Sequence, residues 1–132
     1  MGISPTQRTL KKLKGMGYKC GVVERWLQHA WRAPGKGRGV RQDLFGIIDI
    51  IALTPTGVLG VQSTGQDYAG HYRKLTEEKK QACMEWLVTP GTRLELWAWR
   101  KIKARRGGKA MIWQPRVKVF TLGDFIQDEI FN

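Results

Sequence analysis

The residue that most invites a chemical explanation is Asp49, which stands in the run Phe45-Gly46-Ile47-Ile48-Asp49-Ile50-Ile51-Ala52-Leu53. A carboxylate among so many apolar neighbours is costly to desolvate unless a cation, a metal or a hydrogen-bond network accompanies it. Two readings follow. Asp49 either ends a strand and caps nearby backbone amides, or it ligates a metal. The second polar group is Gln62 in Val58-Leu59-Gly60-Val61-Gln62-Ser63-Thr64. Period-two alternation puts Gln62 and Thr64 on one side of a strand. A turn at Pro55-Thr56-Gly57 folds that strand back against the one carrying Asp49. Asp49, the amide oxygen of Gln62 and the backbone carbonyl of Ser63 then form an oxygen set suited to a hard cation, Mg²⁺ or Mn²⁺. Glu24 approaches from the preceding basic segment and adds a second negative charge. A metal held in this way polarises a phosphodiester and activates water.

A third group, Tyr68-Ala69-Gly70-His71-Tyr72-Arg73-Lys74, follows the Gln62 strand and brings cations to the start of a helix. Arg73 and Lys74 suit phosphate contacts, and Lys74 can neutralise developing charge if its helix faces the metal. His71 reads more simply as a packed or solvent-facing residue. Further phosphate contacts are expected from Arg25, Arg32, Lys36, Arg38 and Arg41. Six tryptophans are many for this length. Trp97 and Trp99 share a strand face, with burial the preferred reading and base stacking the alternative. Trp26 and Trp31, beside the basic loop, are better placed for contact.

The elements that must position these groups follow from pattern. Residues 6–16 read as a helix, with Leu10 and Leu13 on its apolar edge and Pro5 in its first turn. Gly15 and Gly17 end it. Residues 18–26 contain an extended segment around Val22 and Val23. Residues 31–39, with Pro34, three glycines, Arg32, Lys36 and Arg38, read as a flexible basic loop. Residues 44–53 read as a central strand covered on both faces, and residues 58–64 as its hairpin partner. A helix spans residues 69–87, with a break near Thr76 where a cap is expected. Strands follow at 93–103 and 111–120, the latter at an edge or bulged because of Pro115. A short helix over 122–131 closes the chain.

Residues 1–132 are expected to form one domain, since the length suits one core beneath a mixed sheet. A hydrophobic fraction of 42% excludes general disorder. No apolar run approaches the roughly 20 residues of a membrane span, and the first 14 residues lack a secretory h-region. Cys20 and Cys83 have neither zinc-site nor disulfide-framework spacing. A cytoplasmic location is expected. Lysine plus arginine number 23 against 11 acids, for a net charge of +12 and a pI near 10.2. Such an excess favours polyanions through long-range attraction and counterion release. Its distribution supports that reading over a uniform solubilising coat. From residue 8 to 41 there are ten basic residues and one acid, and from 93 to 118 nine and one.

These stretches together resemble a divergent PD-(D/E)xK nuclease, near the Holliday-junction-resolvase-like and phage-encoded branches. The resemblance rests on Val23-Glu24-Arg25-Trp26, on residues 41–53, on Val61-Gln62-Ser63-Thr64 and on His71-Tyr72-Arg73-Lys74. It covers roughly residues 6–88. It implies an α/β fold with a mixed central sheet flanked by helices, restriction-endonuclease-like, and metal-dependent cleavage of DNA, branched DNA included. Asp49 matches the family aspartate, Gln62 stands at the second ligand position, and Glu24 resembles the upstream glutamate. Thr64 stands where the family has lysine, and a hydroxyl cannot act as an ammonium at neutral pH. Either Lys74 takes over that work, or the domain binds nucleic acid without cutting it. Asp43 is a further acidic group or a strand cap, with the cap preferred. The resemblance also implies a homodimer and, for a phage-encoded chain, a host-cytoplasmic location.

Overall fold

The structure, a computed structural model, describes the backbone of residues 2–31 and 38–130 and the side chains of residues 2–27 and 40–126. The chain runs α1 (Pro5–Gly15), β1 (Lys19–Val22), β2 (Arg25–Trp31), β3 (Arg38–Gln42), β4 (Ile50–Thr54) and β5 (Gly57–Thr64). After β5 come α2 (Tyr68–Arg73), a π turn (Lys74–Glu78), α3 (Lys80–Val88), β6 (Thr92–Lys103), β7 (Met111–Phe120) and α4 (Gly123–Ile130).

The first helix forms where its sequence supplies both ends. Ser4 caps it by accepting from the Gln7 N–H at 3.1 Å, proline occupies the first turn, and Lys12 and Lys14 sit in the last turn. Its apolar edge buries Leu13 completely against the sheet.

Five strands make a mixed sheet in the order β1-β4-β5-β6-β7. All neighbours are antiparallel except β5 and β6, which run parallel. That parallel pair requires a crossover, which α2, the π turn and α3 supply. Alternation then divides the core. Ile50, Ala52, Leu59, Val61, Trp97 and Trp99 pack with Leu13 on the α1 face. Leu94, Leu96 and Phe120 pack with Ile48, Leu75 and Cys83 on the opposite face, beneath the crossover. The two layers of helix thus flank a mixed central sheet, broadly consistent with a restriction-endonuclease-like arrangement. The crossover lies close to the sheet because Gly60 has no side chain. A Cβ there would come within 2.6 Å of Ile48 Cδ1 and 3.1 Å of Trp86 Cζ2.

Two expectations change. Residues 44–53 are not one strand. Leu44 bridges Ile48 around a tight turn in which Phe45 (φ 57°) and Gly46 (φ 75°) both have left-handed backbone. Ile47 and Ile48 are buried by entering the core from this turn, and pairing begins only at Ile50. A second, two-stranded antiparallel sheet pairs β2 with β3, with Trp31 opposite Arg38; residues 32–37, most of the expected basic loop at 31–39, lie outside the described residues. The expected helix does change character close to Thr76. Thr76 is not a cap, however: its hydroxyl donates back to the Tyr72 carbonyl at 2.9 Å, and the irregularity is the π turn, closed by Lys79 N–H to Lys74 O at 2.8 Å.

Trp97 and Trp99 are buried, their indole N–H groups donating to Glu95 and Thr9. They are sheet packing and not stacking platforms. Among the described residues no helix is long and apolar enough to cross a membrane.

Candidate metal centre

The last row paired across three strands is Val22–Ile50–Val61. One residue beyond it stand Val23, Asp49 and Gln62, still tied by Val23 N–H to Asp49 O and Asp49 N–H to Val61 O, each 2.8 Å. Because Ile47 and Ile48 have turned away, the Ser63 N–H has no strand carbonyl beside it. Asp49 fills that gap. Its Oδ2 accepts from the Ser63 N–H at 2.8 Å and from the Ser63 hydroxyl at 3.2 Å. The Ser63 hydroxyl in turn lies 3.2 Å from that of Thr6 in α1. Asp49 therefore does cap a backbone amide, as one of its two readings held.

It is also one of three acids. Ligand atoms of Glu24, Asp43 and Asp49 all lie within 4.8 Å of one another. Glu24 comes from the two-residue link between β1 and β2, Asp43 from the residue after β3, and Asp49 from the residue before β4. Asp43 was expected to cap a strand. Its side chain instead accepts from Gln62 Nε2 at 3.0 Å and from Lys74 Nζ at 3.4 Å, which turns it towards the other two acids. A sequence signal for it exists: Asp43 and Asp49 bracket the Phe45-Gly46 turn, and a tight turn between two acids returns both to one place.

Burial pushes the Asp49 carboxyl up to about 8, helped by its hydrogen bond with Asp43 and by the negative charges of Asp43 and Glu24; only the Ser63 amide opposes this. Burial also acts to raise Asp43. There the hydrogen bonds from Asp49 and Gln62, with the Lys74 ammonium, outweigh it and hold Asp43 below the ordinary carboxylate value. The two carboxyls thus resist ionising together, with Asp49 pushed up and Asp43 held down. Two adjacent carboxylates that resist joint ionisation are stabilised by a cation.

Lys74 reaches the cluster from the crossover. Its Nζ donates to Gln62 Oε1 at 3.0 Å as well as to Asp43. Gln62, buried at 1% exposure, uses its oxygen for Lys74 and its NH₂ for Asp43. In this arrangement the amide links a cation to an acid, and the Gln62 oxygen that the sequence offers to a metal accepts from Lys74. Thr64 is buried close by and offers no charge.

A cleft of about 320 Å³ opens over the group, with Glu24, Arg41, Asp43, Asp49, Ser63 and His71 on its walls. His71 Nδ1 is 3.0 Å from the Asp67 carbonyl, which holds the ring at the rim. Arg41 is exposed and lies 3.9 Å from Glu24. Arg25, also exposed, donates to Gln42 Oε1 at 3.0 Å. Arg73 points to solvent at the end of α2. Arg38 is in β3 with its side chain outside the described residues, and Arg32 and Lys36 lie wholly outside them.

Three carboxylates from three separate chain segments form an acidic group able to hold a divalent metal ion. The donor set is all oxygen, as Mg²⁺ and Mn²⁺ prefer. Compared with protein-family models, with curated sequences and with solved structures, the chain matches none.

Proposed function

We propose that the chain is a metal-dependent DNA endonuclease of the PD-(D/E)xK type, with Asp49, Asp43 and Glu24 as its metal-holding acids. The observation that carries the proposal is the convergence of these three acids with Lys74 at one end of a mixed sheet. In a protein of net charge +12, an acidic centre inside a basic surface suits a polyanionic substrate whose charge a cation must offset.

Asp49, Asp43 and Glu24 would bind Mg²⁺ or Mn²⁺, and the bound ion supplies Lewis acidity at a phosphodiester and lowers the pKa of a water. The remaining work belongs to the chain. Ser63 fixes Asp49 through its N–H and hydroxyl. Gln62 fixes the Lys74 ammonium beside Asp43, and in this reading that cation takes over the work of the family lysine, absent at Thr64, and offsets charge building on the phosphate. Arg41 and Arg73, both exposed, engage flanking phosphates, and Arg25, Arg32, Lys36 and Arg38 are proposed as further phosphate contacts.

A second reading has an observation of its own. Among the described residues no buried side-chain polar atom lacks a partner, and Asp49 and Asp43 are satisfied by Ser63, Gln62 and Lys74 without an ion. A polar network of that kind can serve a DNA-binding domain that does not cut.

Incubation of the protein with labelled single-stranded, duplex and four-way-junction DNA separates the two. Mg²⁺- or Mn²⁺-dependent products that disappear in Asp49→Asn establish the nuclease. Shifted but uncut DNA in every metal condition establishes the binding domain.

A further inference from the structure

We propose that Phe45 is a stacking platform for an unpaired base of the DNA strand that enters the acidic cleft, so that the preferred substrate has unstacked nucleotides beside the scissile phosphate. This rests on the reading of the cleft as a DNA site and narrows its substrate.

Phe45 stands at the tip of the turn whose two ends carry Asp43 and Asp49. Gly46 N–H to Asp43 O at 3.0 Å and Ile47 N–H to Leu44 O at 3.0 Å close it. The position demands left-handed backbone, and at φ 57° Phe45 is the one non-glycine residue with positive φ among the described residues. Glycine or asparagine occupies such a position at little cost, whereas a bulky side chain is strained there. Packing does not offset the strain, because Phe45 is 65% exposed, the most of any large hydrophobic among the described residues. An aromatic ring held outward at the expense of its backbone points to a contact made outside the chain.

The surroundings select the kind of contact. On one side of Phe45 lies a hollow of about 540 Å³ walled by Arg25, Gln42, Asp43, Leu44 and Lys79. The Lys79 side chain crosses over Gly46, beside the ring. A second hollow that Phe45 also lines carries Glu78 and Glu85 together with Lys79. A nucleic-acid strand is therefore drawn to the first hollow, where Arg25 joins Lys79 and Phe45 in the lining, and not to the second, where two glutamates do; Asp43 connects the first hollow to the metal-holding acids. Aromatic faces between cations are how proteins hold single-stranded bases, since every base offers a π-face to stack on. A base inside a duplex has its faces covered already. The platform therefore discriminates for flaps, gaps and single strands.

The test is binding by the full-length protein in chelator, so that cleavage does not enter, to DNA with a 2-aminopurine in an unpaired position and to a duplex of the same length. The parent is expected to favour the unpaired substrate and to change the probe's fluorescence. Phe45→Ala should weaken that substrate by roughly 5- to 150-fold, with much less change on duplex. Phe45→Trp should retain both affinity and fluorescence change. Phe45→Asn should lose binding as Phe45→Ala does while melting at or above the parent temperature, because asparagine suits the turn; a merely structural Phe45 would give the opposite melting result. Equal affinity of Phe45→Ala and parent for the unpaired substrate overturns the proposal, as does an equal loss on both substrates. The cleavage reading is scored separately, by Asp49→Asn in metal.

Discussion

The ammonium of Lys74 donates to the side-chain oxygen of Gln62 at 3.0 Å, twelve residues upstream, and the same Gln62 passes its own NH₂ to Asp43 at 3.0 Å. An amide thus couples the first residue of the π turn to the acidic group at the end of β5. The wider turn matters here. A π turn adds one residue to the helical circuit and shifts the side chains that follow. Leu75 remains fully buried in the core beneath the crossover while Lys74 faces the site.

Replacing Lys74 by methionine removes a cation and leaves two buried polar groups short of a donor. Stability is expected to fall by about 1–3 kcal/mol in denaturant titration. If the domain cuts DNA, the cleavage rate should drop by roughly 10²-fold or more, as with loss of other preorganised charge stabilisers. Lys74→Arg should recover stability better than rate, because its planar fork does not reproduce the point charge.

In the absence of metal, stability should depend on the ionisation of Asp49. Its folded-state pKa of about 8 lies above the unfolded value of 3.8. The folded chain keeps a proton that the unfolded chain releases, so this contribution is full below about pH 4 and is lost as pH rises towards 8. Asp43 works in the opposite direction, because its pKa is lowered. The difference between parent and Asp49→Asn isolates the first effect. Asp49→Asn should gain on the parent steadily between pH 4 and 8 in chelator, and equal pH slopes for the two proteins would contradict the burial argument.

Added Mg²⁺ or Mn²⁺ should raise the melting temperature, and chelator should reverse it. A ligand at a hundred times its dissociation constant stabilises by about 2.7 kcal/mol. The shift should vanish in Asp49→Asn and shrink in Asp43→Asn, as followed by thermal denaturation. Gln62→Glu should enlarge it by adding a fourth carboxylate, while lowering stability without metal.

Closer to the fold, Gly60→Ala places a methyl group 2.6 Å from Ile48 Cδ1 and 3.1 Å from Trp86 Cζ2. The β5 surface and the crossover must separate, with an expected loss of about 1–3 kcal/mol in denaturant titration.

Thiol labelling offers a check on burial. Cys20 is half-buried and Cys83 fully buried, with burial pushing the Cys83 thiol up to about 12. One thiol is expected to react in the folded protein and two after unfolding.

Much of this architecture was legible in local pattern. The α1 first turn and apolar edge, the β4–β5 hairpin, the two long late strands and the anomaly near Thr76 all follow from interactions within a few residues. So does the need to explain Asp49, because a carboxylate among isoleucines is costly wherever the chain takes it. Tertiary structure decided what Asp49 meets. Glu24, Asp43 and Lys74 come from the link after β1, the end of β3 and the crossover, and only strand pairing brings those segments to the same end of the sheet. The break at Phe45-Gly46 was hidden for a related reason. Ile47 and Ile48 look like strand residues by composition, but apolar side chains are buried as readily from a turn as from a strand. Local hydrophobicity fixes which residues leave water, whereas the partners a polar group finds depend on long-range contacts that no short window contains.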